Sequence, residues 1–242
     1  MKTSNTNGKL NILNFKLIIF DFDGVIADSL GAYRKLDQLI IKDLYKIDEK
    51  IEEIEKMSDK IKTGAINNSE DDYYRFIDRK YGDGRKSLDE IWSKIFELVP
   101  VVQANIKPKP GIIDVLKRIK EKTACPIALA TGSSRSDINF FSTKKSKIGR
   151  QINLNDFFDT IVTIDDVEKP KPHPEMLLKI INSYRVTPDS VLVFEDSLPG
   201  VLAAKAAGAT VAVIEDAHNF RDKKKIVQAA DLYLENWSQL RI

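Results

Sequence analysis

The sequence predicts an α/β fold whose centre is a doubly wound parallel sheet. Short apolar runs recur along the chain, and helical stretches separate them, which is the pattern of a parallel sheet with helices on both faces. The runs are rich in β-branched residues and do not alternate with polar ones, so we expect each strand to be buried on both sides. The predicted strands are Leu17–Phe20, Ile127–Ala130, 160–163, 191–194 and Thr210–Ile214.

Amphipathic helices are predicted between these strands at residues 112–122, 174–184 and 200–207. Pro110 and Gly111 form a turn signal immediately before the first of these helices, and Gly208 follows the last one as a stop signal. Regular alternation of strand and helix is typical of a doubly wound domain.

Residues 29–106 have a different pattern. They carry many charges, and their apolar residues recur at helical spacing, as at Leu36, Leu39 and Ile40, without a run that resembles a strand. We therefore predict a helical module inserted after the first strand, with the α/β core made of residues 1–28 and 107–242. The 242 residues correspond to about 1.6 domains of ordinary size, which agrees with one domain and an insertion.

Composition excludes several classes of protein. With 43% hydrophobic and 31% charged residues, the chain has enough apolar side chains for a globular core. Lys and Arg number 38 against 36 Asp and Glu, so no nucleic-acid partner is predicted. No apolar stretch approaches the length of a membrane span, and the single cysteine, Cys125, cannot form an intrachain disulfide. We expect a cytoplasmic protein without a membrane partner; the sequence does not indicate its oligomeric state.

Polar residues follow the predicted strands at the points where they end. Ligands of open parallel sheets bind beyond the carboxyl ends of the strands, so we expect these residues to share one edge of the sheet. In strand order they are Asp21 and Asp23; Thr131, Gly132 and Ser133; Asp165 and Asp166, with Lys169 and Lys171 farther on; and Glu195 and Asp196.

These residue types suit phosphoryl transfer. Carboxylates gathered at one point repel each other unless a cation neutralises them, and ligands that are all oxygen favour a hard ion such as Mg²⁺. A hydroxyl and backbone N–H groups near Gly132 can hold phosphate oxygens, while a lysine neutralises phosphate charge. One aspartate can then accept the phosphoryl group while a second protonates the leaving group.

Four stretches resemble, in order, the motifs of the haloacid dehalogenase-like hydrolases. The resemblance is to the Mg²⁺-dependent phosphatase branch, which has a helical C1-type cap after the first motif. It implies a Rossmann-like catalytic core of residues 1–28 and 107–242 and an α-helical cap of residues 29–106. The stretches are Asp21-Phe22-Asp23-Gly24-Val25, Ala130-Thr131-Gly132-Ser133-Ser134, Lys171-Pro172-His173-Pro174-Glu175 and Val193-Phe194-Glu195-Asp196-Ser197.

The resemblance implies a role for each acidic residue. Asp21 is expected to be the nucleophile and a ligand of Mg²⁺. Asp23 is expected to be the general acid and base, with its main-chain carbonyl on the metal. Asp196 is expected to bind Mg²⁺ directly, and Glu195 directly or through water. The expected substrate is a small phosphorylated metabolite, hydrolysed through an aspartyl-phosphate.

The resemblance also assigns the phosphate-binding residues. Thr131, Gly132 and Ser133 are expected to bind the transferring phosphate, together with the lysine of the third motif. Both Lys169 and Lys171 begin a Lys-Pro-x-Pro string. We prefer Lys171, because the apolar helix then follows at the right distance.

Two other functions stay open from the sequence. A phosphosugar mutase resembling β-phosphoglucomutase keeps Asp23, but Tyr33 stands where such mutases carry a histidine, and no Gly-x-Ser-Arg string is found. The second alternative is a non-catalytic protein that binds a phosphorylated ligand, although every catalytic position is filled. Neither His173 nor His218 is predicted to bind metal, since neither has a second histidine at motif spacing.

Overall fold

The structure is a computed structural model that describes residues 12–62, 69–217, 222–240 and 242, with the backbone alone for residues 58–62. The chain divides into two compact units. Unit 1 comprises Met1–Asp28 and Lys107–Ile242, and unit 2 comprises Ser29–Ile106.

Unit 1 is built on a six-stranded sheet in which every paired strand is parallel. Its order is β3-β2-β1-β4-β5-β6, which confirms the predicted doubly wound fold. The strands are β1 (Leu17–Phe20), β2 (Ile127–Ala130), β3 (Thr160–Val162), β4 (Val191–Glu195), β5 (Thr210–Ile214) and β6 (Leu232–Leu234). The observed β3 ends one residue before the end of the predicted strand 160–163. The observed β4 extends one residue beyond the predicted strand 191–194, to Glu195.

The switch point of the sheet lies between β1 and β4. From β1 the order runs to β2 and β3 on one side and to β4, β5 and β6 on the other. Phe20 is in register with Phe194 of β4 and with Leu129 of β2. The residues that follow these three strands therefore emerge side by side, at the place where open α/β sheets bind their ligands.

The helices of unit 1 connect these strands. The sequence predicts helices over residues 174–184 and 200–207, and the observed helices begin at Glu175 and at Leu198. The second helix is capped by Ser197, whose side chain accepts a hydrogen bond from Gly200 N. The helices are α5 (Ile112–Lys122), α6 (Arg135–Phe141), α7 (Leu154–Phe157), α8 (Glu175–Tyr184), α9 (Leu198–Ala206) and α10 (Lys223–Ala229).

Aromatic rings pack beneath the carboxyl ends of the central strands. The Phe20 and Phe194 rings stack with centroids 4.9 Å apart, and Trp237 contacts both at 6.0 and 5.0 Å. Trp237 Nε1 donates to the carbonyl oxygen of Val25 at 3.1 Å. These fully buried rings lie beneath the loop that follows β1 and support it. Contacts between the rings add to the stabilisation that comes from their buried apolar area.

Unit 2 contains four described helices: α1 (Leu30–Tyr45), α2 (Ile51–Lys62), α3 (Glu70–Tyr81) and α4 (Leu88–Asn105). They enclose a hydrophobic core of their own, which includes Ile40, Ile77 and Ile91. Ser69 and Ser87 cap α3 and α4: the side chain of each accepts a hydrogen bond from a backbone N–H in the first turn of its helix.

None of the helices in the described part of the chain is both long enough and apolar enough to cross a membrane.

Candidate active site

Three carboxylates converge at the switch point of the sheet. Asp21 directly follows β1, and its N–H donates to Phe194 O of β4 at 3.0 Å, which continues the strand pairing by one residue. Glu195 ends β4, and Asp196 comes next. One carboxylate oxygen from each of Asp21, Glu195 and Asp196 lies within 4.8 Å of the others. All three residues are buried.

Lys171 lies in this carboxylate cluster. Its Nζ donates to Asp21 Oδ1 at 2.8 Å, to Glu195 Oε1 at 2.5 Å and to Ala130 O at 2.9 Å. Its side chain is only 12% exposed. One ammonium group therefore joins the ends of β1, β2 and β4. Lys169, the alternative from the sequence, is exposed, and its backbone N–H donates to Glu175 Oε2.

Burial dominates the electrostatics of Asp21. Its pKa is raised to about 7: loss of hydration is the largest cause, repulsion from Glu195 and Asp23 adds to the rise, and attraction to Lys171 opposes it. Burial likewise raises the pKa of Asp196 well above its ordinary value, and repulsion from Glu195 and Asp21 increases it further. Without a compensating cation, the cluster therefore favours partial protonation.

Lys171 stays charged in this environment. Burial lowers its pKa, but attraction and hydrogen bonds from Asp21 and Glu195 outweigh that effect and raise it above the ordinary value. With all three carboxylates ionised, as a bound cation would favour, the cluster and this one ammonium carry a net charge of −2. The chain thus presents a buried cluster of oxygen ligands whose net charge one divalent cation would cancel.

Glycines let the backbone pack directly against two of these carboxylates. A Cβ at Gly24 would lie 2.1 Å from Asp196 Oδ2, and one at Gly200 would lie 2.0 Å from Glu195 Oε1. Gly24 also has a φ of +75°. Glu195 Oε2 accepts hydrogen bonds from the N–H of Asp196 and from the hydroxyl of Ser197, both at 3.2 Å. Both carboxylates are thus held in place by backbone and loop contacts.

The second motif provides a turn with open space. Thr131 is fully buried, and its Oγ1 accepts a hydrogen bond from Ser133 N at 3.0 Å. Gly132 is exposed, and no atom lies within 4 Å of the position that a Cβ would take. Ser134 caps α6 through a capping box with Asp137. The turn places backbone N–H groups next to the cluster without a side chain at Gly132.

Asp23 is half-buried and interacts with the second motif. The Ser133 hydroxyl donates to Asp23 Oδ2 at 2.5 Å. The side chain of Asp23 does not belong to the group of carboxylates that lie within 4.8 Å of one another. The described geometry therefore separates the two aspartates of the first motif: Asp21 contacts Lys171, and Asp23 contacts Ser133.

The acids after β3 have a structural role. Asp166 Oδ2 accepts from Thr163 N and pairs with the Arg135 guanidinium, each at 2.7 Å, while Asp165 Oδ2 accepts from Arg135 N at 2.7 Å. These contacts hold the start of α6 against the end of β3.

His173 Nδ1 accepts a hydrogen bond from Glu175 N. His218 lies outside the described residues.

Sequence reasoning missed an ion pair next to the cluster. Lys109 Nζ lies 2.7 Å from Asp216 Oδ2, and the two side chains are 11% and 3% exposed. Asp216 follows β5. The sequence analysis looked for polar residues beyond the ends of the other strands. The same search beyond the end of β5 would have identified Asp216.

Comparison with known proteins agrees with this geometry. A family model described as haloacid dehalogenase-like hydrolase matches residues 15–208. The matched range begins just before β1 and ends after α9, so it covers all four motifs.

Similar proteins include several phosphatases. A phosphorylated carbohydrates phosphatase from Thermotoga maritima is 28% identical over 225 residues, which covers 90% of this chain and 92% of that protein. A bifunctional riboflavin kinase/FMN phosphatase from Arabidopsis thaliana is 32% identical over 155 residues, which is 62% of this chain. This chain covers only 39% of the length of that protein.

A solved structure has the same fold. It is a Thermotoga maritima protein that is provisionally named a beta-phosphoglucomutase. It superposes on this chain with a TM-score of 0.76 and 26% sequence identity. The superposition covers 93% of this chain and 96% of the other. With the family model, the strand order and the four motifs in agreement, the chain belongs to the haloacid dehalogenase-like hydrolase family.

Proposed function

We propose that this hydrolase removes the phosphate group from a small phosphorylated metabolite as a Mg²⁺-dependent phosphomonoesterase, with Asp21 as the nucleophile. The observation that carries the proposal is the position of Lys171, whose ammonium bonds Asp21 at 2.8 Å and Glu195 at 2.5 Å in a buried carboxylate cluster. A lysine in that position can neutralise a phosphoryl group that approaches Asp21.

The first half of the reaction transfers the phosphoryl group to the enzyme. An Asp21 carboxylate oxygen forms a bond to phosphorus as the bond between phosphorus and the ester oxygen breaks. Asp23 gives its proton to the departing oxygen, so the product leaves as an alcohol. The Ser133 hydroxyl, 2.5 Å from Asp23 Oδ2, orients this carboxyl group. Thr131 and the N–H groups near Gly132 bind the phosphoryl oxygens.

The second half regenerates the enzyme. Asp23, now ionised, takes a proton from a water molecule as the water oxygen attacks phosphorus. The bond between phosphorus and Asp21 breaks, which releases inorganic phosphate and returns Asp23 to its protonated form. Lys171 keeps its positive charge throughout, since Asp21 and Glu195 raise its pKa.

Asp21, Asp196, Glu195 and the main-chain carbonyl of Asp23 are the groups we propose to hold Mg²⁺. The carboxylates fit this ion because they are buried, offer only oxygen and, when all are ionised, carry a net charge of −2 together with Lys171. When bound, Mg²⁺ supplies positive charge that lets an anionic carboxylate and an anionic phosphate approach each other.

A phosphate-release assay tests the proposal. The purified protein is incubated with sugar phosphates, nucleoside monophosphates, phosphoglycolate and pyrophosphate, with Mg²⁺ or with a chelator. We expect chelator-sensitive release from at least one phosphomonoester and no release by Asp21→Asn. Asp231→Asn, which changes an exposed acid paired with Lys205, is the matched control and should retain full activity. Release that persists in Asp21→Asn would refute the assignment.

A phosphosugar mutase is the second candidate. It is favoured by the structural similarity to the Thermotoga maritima protein with the provisional beta-phosphoglucomutase name. Exchange between sugar-phosphate isomers, without net phosphate release, would establish it. Absence of both reactions in a protein that binds Mg²⁺ would point instead to a non-catalytic phospholigand-binding protein.

The roles of the two units are also part of the proposal. Unit 1 supplies every residue assigned to the chemistry above, so we assign catalysis to it. Unit 2 has its own core, and we assign it the function of a cap that selects the substrate. We propose the cytoplasm as the compartment, since phosphorylated metabolites are abundant there and the lone Cys125 has no disulfide to maintain.

A further inference from the structure

The turn formed by the second motif, residues 131–134, is hydrogen-bonded to the segment at the end of β3. Thr131 N donates to Val162 O at 3.0 Å, which continues the pairing of β2 with β3 by one residue. Ile164 N donates to Ser133 O at 3.3 Å. The second-motif turn therefore takes part of its position from the strand next to it and from the residues that follow this strand.

Arg135 strengthens this connection at the first residue of α6. Its backbone N–H donates to Asp165 Oδ2 at 2.7 Å. Its Nη2 donates to Asp166 Oδ2 at 2.7 Å and to Ile161 O at 2.8 Å. Both the main chain and the side chain of Arg135 are thus bound to acceptors on the β3 side of the turn.

The acceptor of the guanidinium group is itself fixed by the protein. Asp166 Oδ2 accepts hydrogen bonds from Thr163 N at 2.7 Å and from the Thr163 hydroxyl at 2.8 Å. Thr163 is fully buried, and Asp166 O accepts a further bond from Lys179 Nζ of α8 at 2.8 Å. Arg135 is therefore bound to a carboxylate whose orientation a buried residue determines.

Ser133 lies between the bonds made by Thr131 and those made by Arg135. Its N–H donates to Thr131 Oγ1 at 3.0 Å, and its hydroxyl donates to Asp23 Oδ2 at 2.5 Å. Hydrogen bonds weaken steeply with distance, so a shift of the turn by about 1 Å away from Asp23 would largely remove this bond. The contact between Ser133 and Asp23 thus depends on the exact position of the second-motif turn.

We propose that Arg135 is a positioning residue for proton transfer by Asp23. Together with Asp165 and Asp166, it holds the second-motif turn at the place where the Ser133 hydroxyl orients the Asp23 carboxyl group. The inference rests on the proposed function, which makes Asp23 the general acid and base. In this role Arg135 acts through Ser133 and contacts no reacting atom.

The ion pair can be removed without unfolding the protein. The side chains of Arg135 and Asp166 are 38% and 33% exposed, and pairs with this exposure contribute little to stability. Loss of the guanidinium group should therefore change the position of the turn more than the stability of the fold.

Arg135→Met should impair substrates according to their need for a proton. With an alkyl phosphate, whose leaving group must be protonated, kcat/KM should fall about tenfold, since a misplacement of about 1 Å can cost up to 10²-fold. With p-nitrophenyl phosphate, whose leaving group needs no proton, the fall should be less than about threefold.

The effects of Arg135 and Ser133 should also be coupled. In a Ser133→Ala background the hydroxyl that Arg135 positions is already absent, so Arg135→Met should reduce kcat/KM by less than a further factor of about two. An arginine that bound the substrate directly, or that served stability alone, would lower kcat/KM for both substrates by the same factor, with or without the Ser133 hydroxyl.

The experiment measures kcat/KM with Mg²⁺ for the wild type, Arg135→Met, Ser133→Ala and the double variant. The substrates are p-nitrophenyl phosphate and the alkyl phosphate that the wild type hydrolyses fastest, and thermal melts verify that each protein is folded. Arg150→Met is the matched control. Arg150 is exposed and its Nε donates to Lys144 O at 3.0 Å, so its loss should leave kcat/KM within about twofold.

Asp165→Ala provides a second variant of the same connection, because it removes the acceptor of the Arg135 N–H. Asp165 is exposed, so this variant should fold. We expect a smaller loss than in Arg135→Met, with the same dependence on the leaving group and the same coupling to Ser133→Ala. If Arg135→Met does not fold, these two measurements on Asp165→Ala decide.

Three results would overturn the inference alone: unchanged kinetics in Arg135→Met, an equal loss on both substrates, or a double variant in which the two single losses multiply. The coupling is measured on the alkyl phosphate, so it decides without the second substrate. A wild-type protein that releases no phosphate from any phosphomonoester would overturn the proposed function together with this inference.

Discussion

Gly24 lies against the carboxylate of Asp196 so closely that a Cβ at Gly24 would be 2.1 Å from Oδ2. This contact joins the first motif to the fourth, across the boundary between β1 and β4. Gly24 also has a φ of +75°, a conformation that other residues rarely adopt. Two independent constraints therefore require glycine at this position.

Gly24→Ala should lower both stability and metal affinity. The added Cβ must displace Asp196 and strain the backbone, so we expect a loss of about 1–3 kcal/mol in the free energy of unfolding. Denaturant unfolding measures this loss, and Mg²⁺ titration measures the displacement of Asp196. Gly132→Ala is the control for stability, since nothing lies within 4 Å of its Cβ position. Equal stability of the two variants would contradict the prediction.

Lys171→Ala should reduce kcat/KM by about 10²–10³-fold, because it removes the charge that neutralises the transferring phosphate. The same change leaves Asp21 and Glu195 without their shared ammonium partner. We therefore also expect a lower melting temperature when Mg²⁺ is absent. The exposed Lys169 supplies the matched control, and Lys169→Ala should retain activity within about twofold, as surface changes usually do. Steady-state kinetics that show the reverse order would assign the third motif to Lys169.

Asp23→Asn should lower kcat by about 10²–10⁴-fold, the usual contribution of general acid and base catalysis. Substrates with a good leaving group need no proton from Asp23. The Asp23→Asn variant should therefore lose less activity in the first step with these substrates than with others. Comparison of an alkyl phosphate with p-nitrophenyl phosphate tests this expectation. Ser133→Ala removes the hydroxyl that donates to Asp23 at 2.5 Å, and a smaller loss with the same substrate dependence is expected. An equal loss on both substrates would argue against proton transfer by Asp23.

Asp37 in unit 2 should make stability depend on pH. Burial raises its pKa from 3.8 to about 6, although hydrogen bonds from Tyr73 and Tyr74 oppose the shift. Between these values the unfolded chain releases the proton while the folded chain keeps it. The free energy of unfolding therefore falls as pH rises through this window, by at most about 3 kcal/mol, and levels off above it.

Asp37→Asn remains neutral and should lack this decline. Chemical unfolding at pH 4 and at pH 8 should therefore show that the variant gains stability relative to the wild type at the higher pH. Asp48→Asn, at an acid whose side chain is 75% exposed, controls for loss of a surface charge in the same unit. Parallel pH curves for the wild type and Asp37→Asn would show that Asp37 titrates normally in the folded protein.

The parts of the fold that the sequence missed are short. β6 has three residues at the edge of the sheet, two of them half-buried, so it lacks the continuous apolar run of a central strand. α6 has seven residues, too few for a helical period to be recognised, although Ser134 and Asp137 form a capping box at its start. Local patterns therefore identify elements that are long or fully buried, and they miss elements that neighbours stabilise.

The sequence by itself determined the type of fold, the order of the motifs and the residues that end each central strand. Those features depend on local hydrophobic pattern and on residues close in the chain. Only the tertiary structure decided which charges meet: Lys171 with Asp21 and Glu195, Ser133 with Asp23, and Lys109 with Asp216. Such pairs join residues far apart in the chain, and strand order and register, which no local pattern contains, bring them within hydrogen-bond distance.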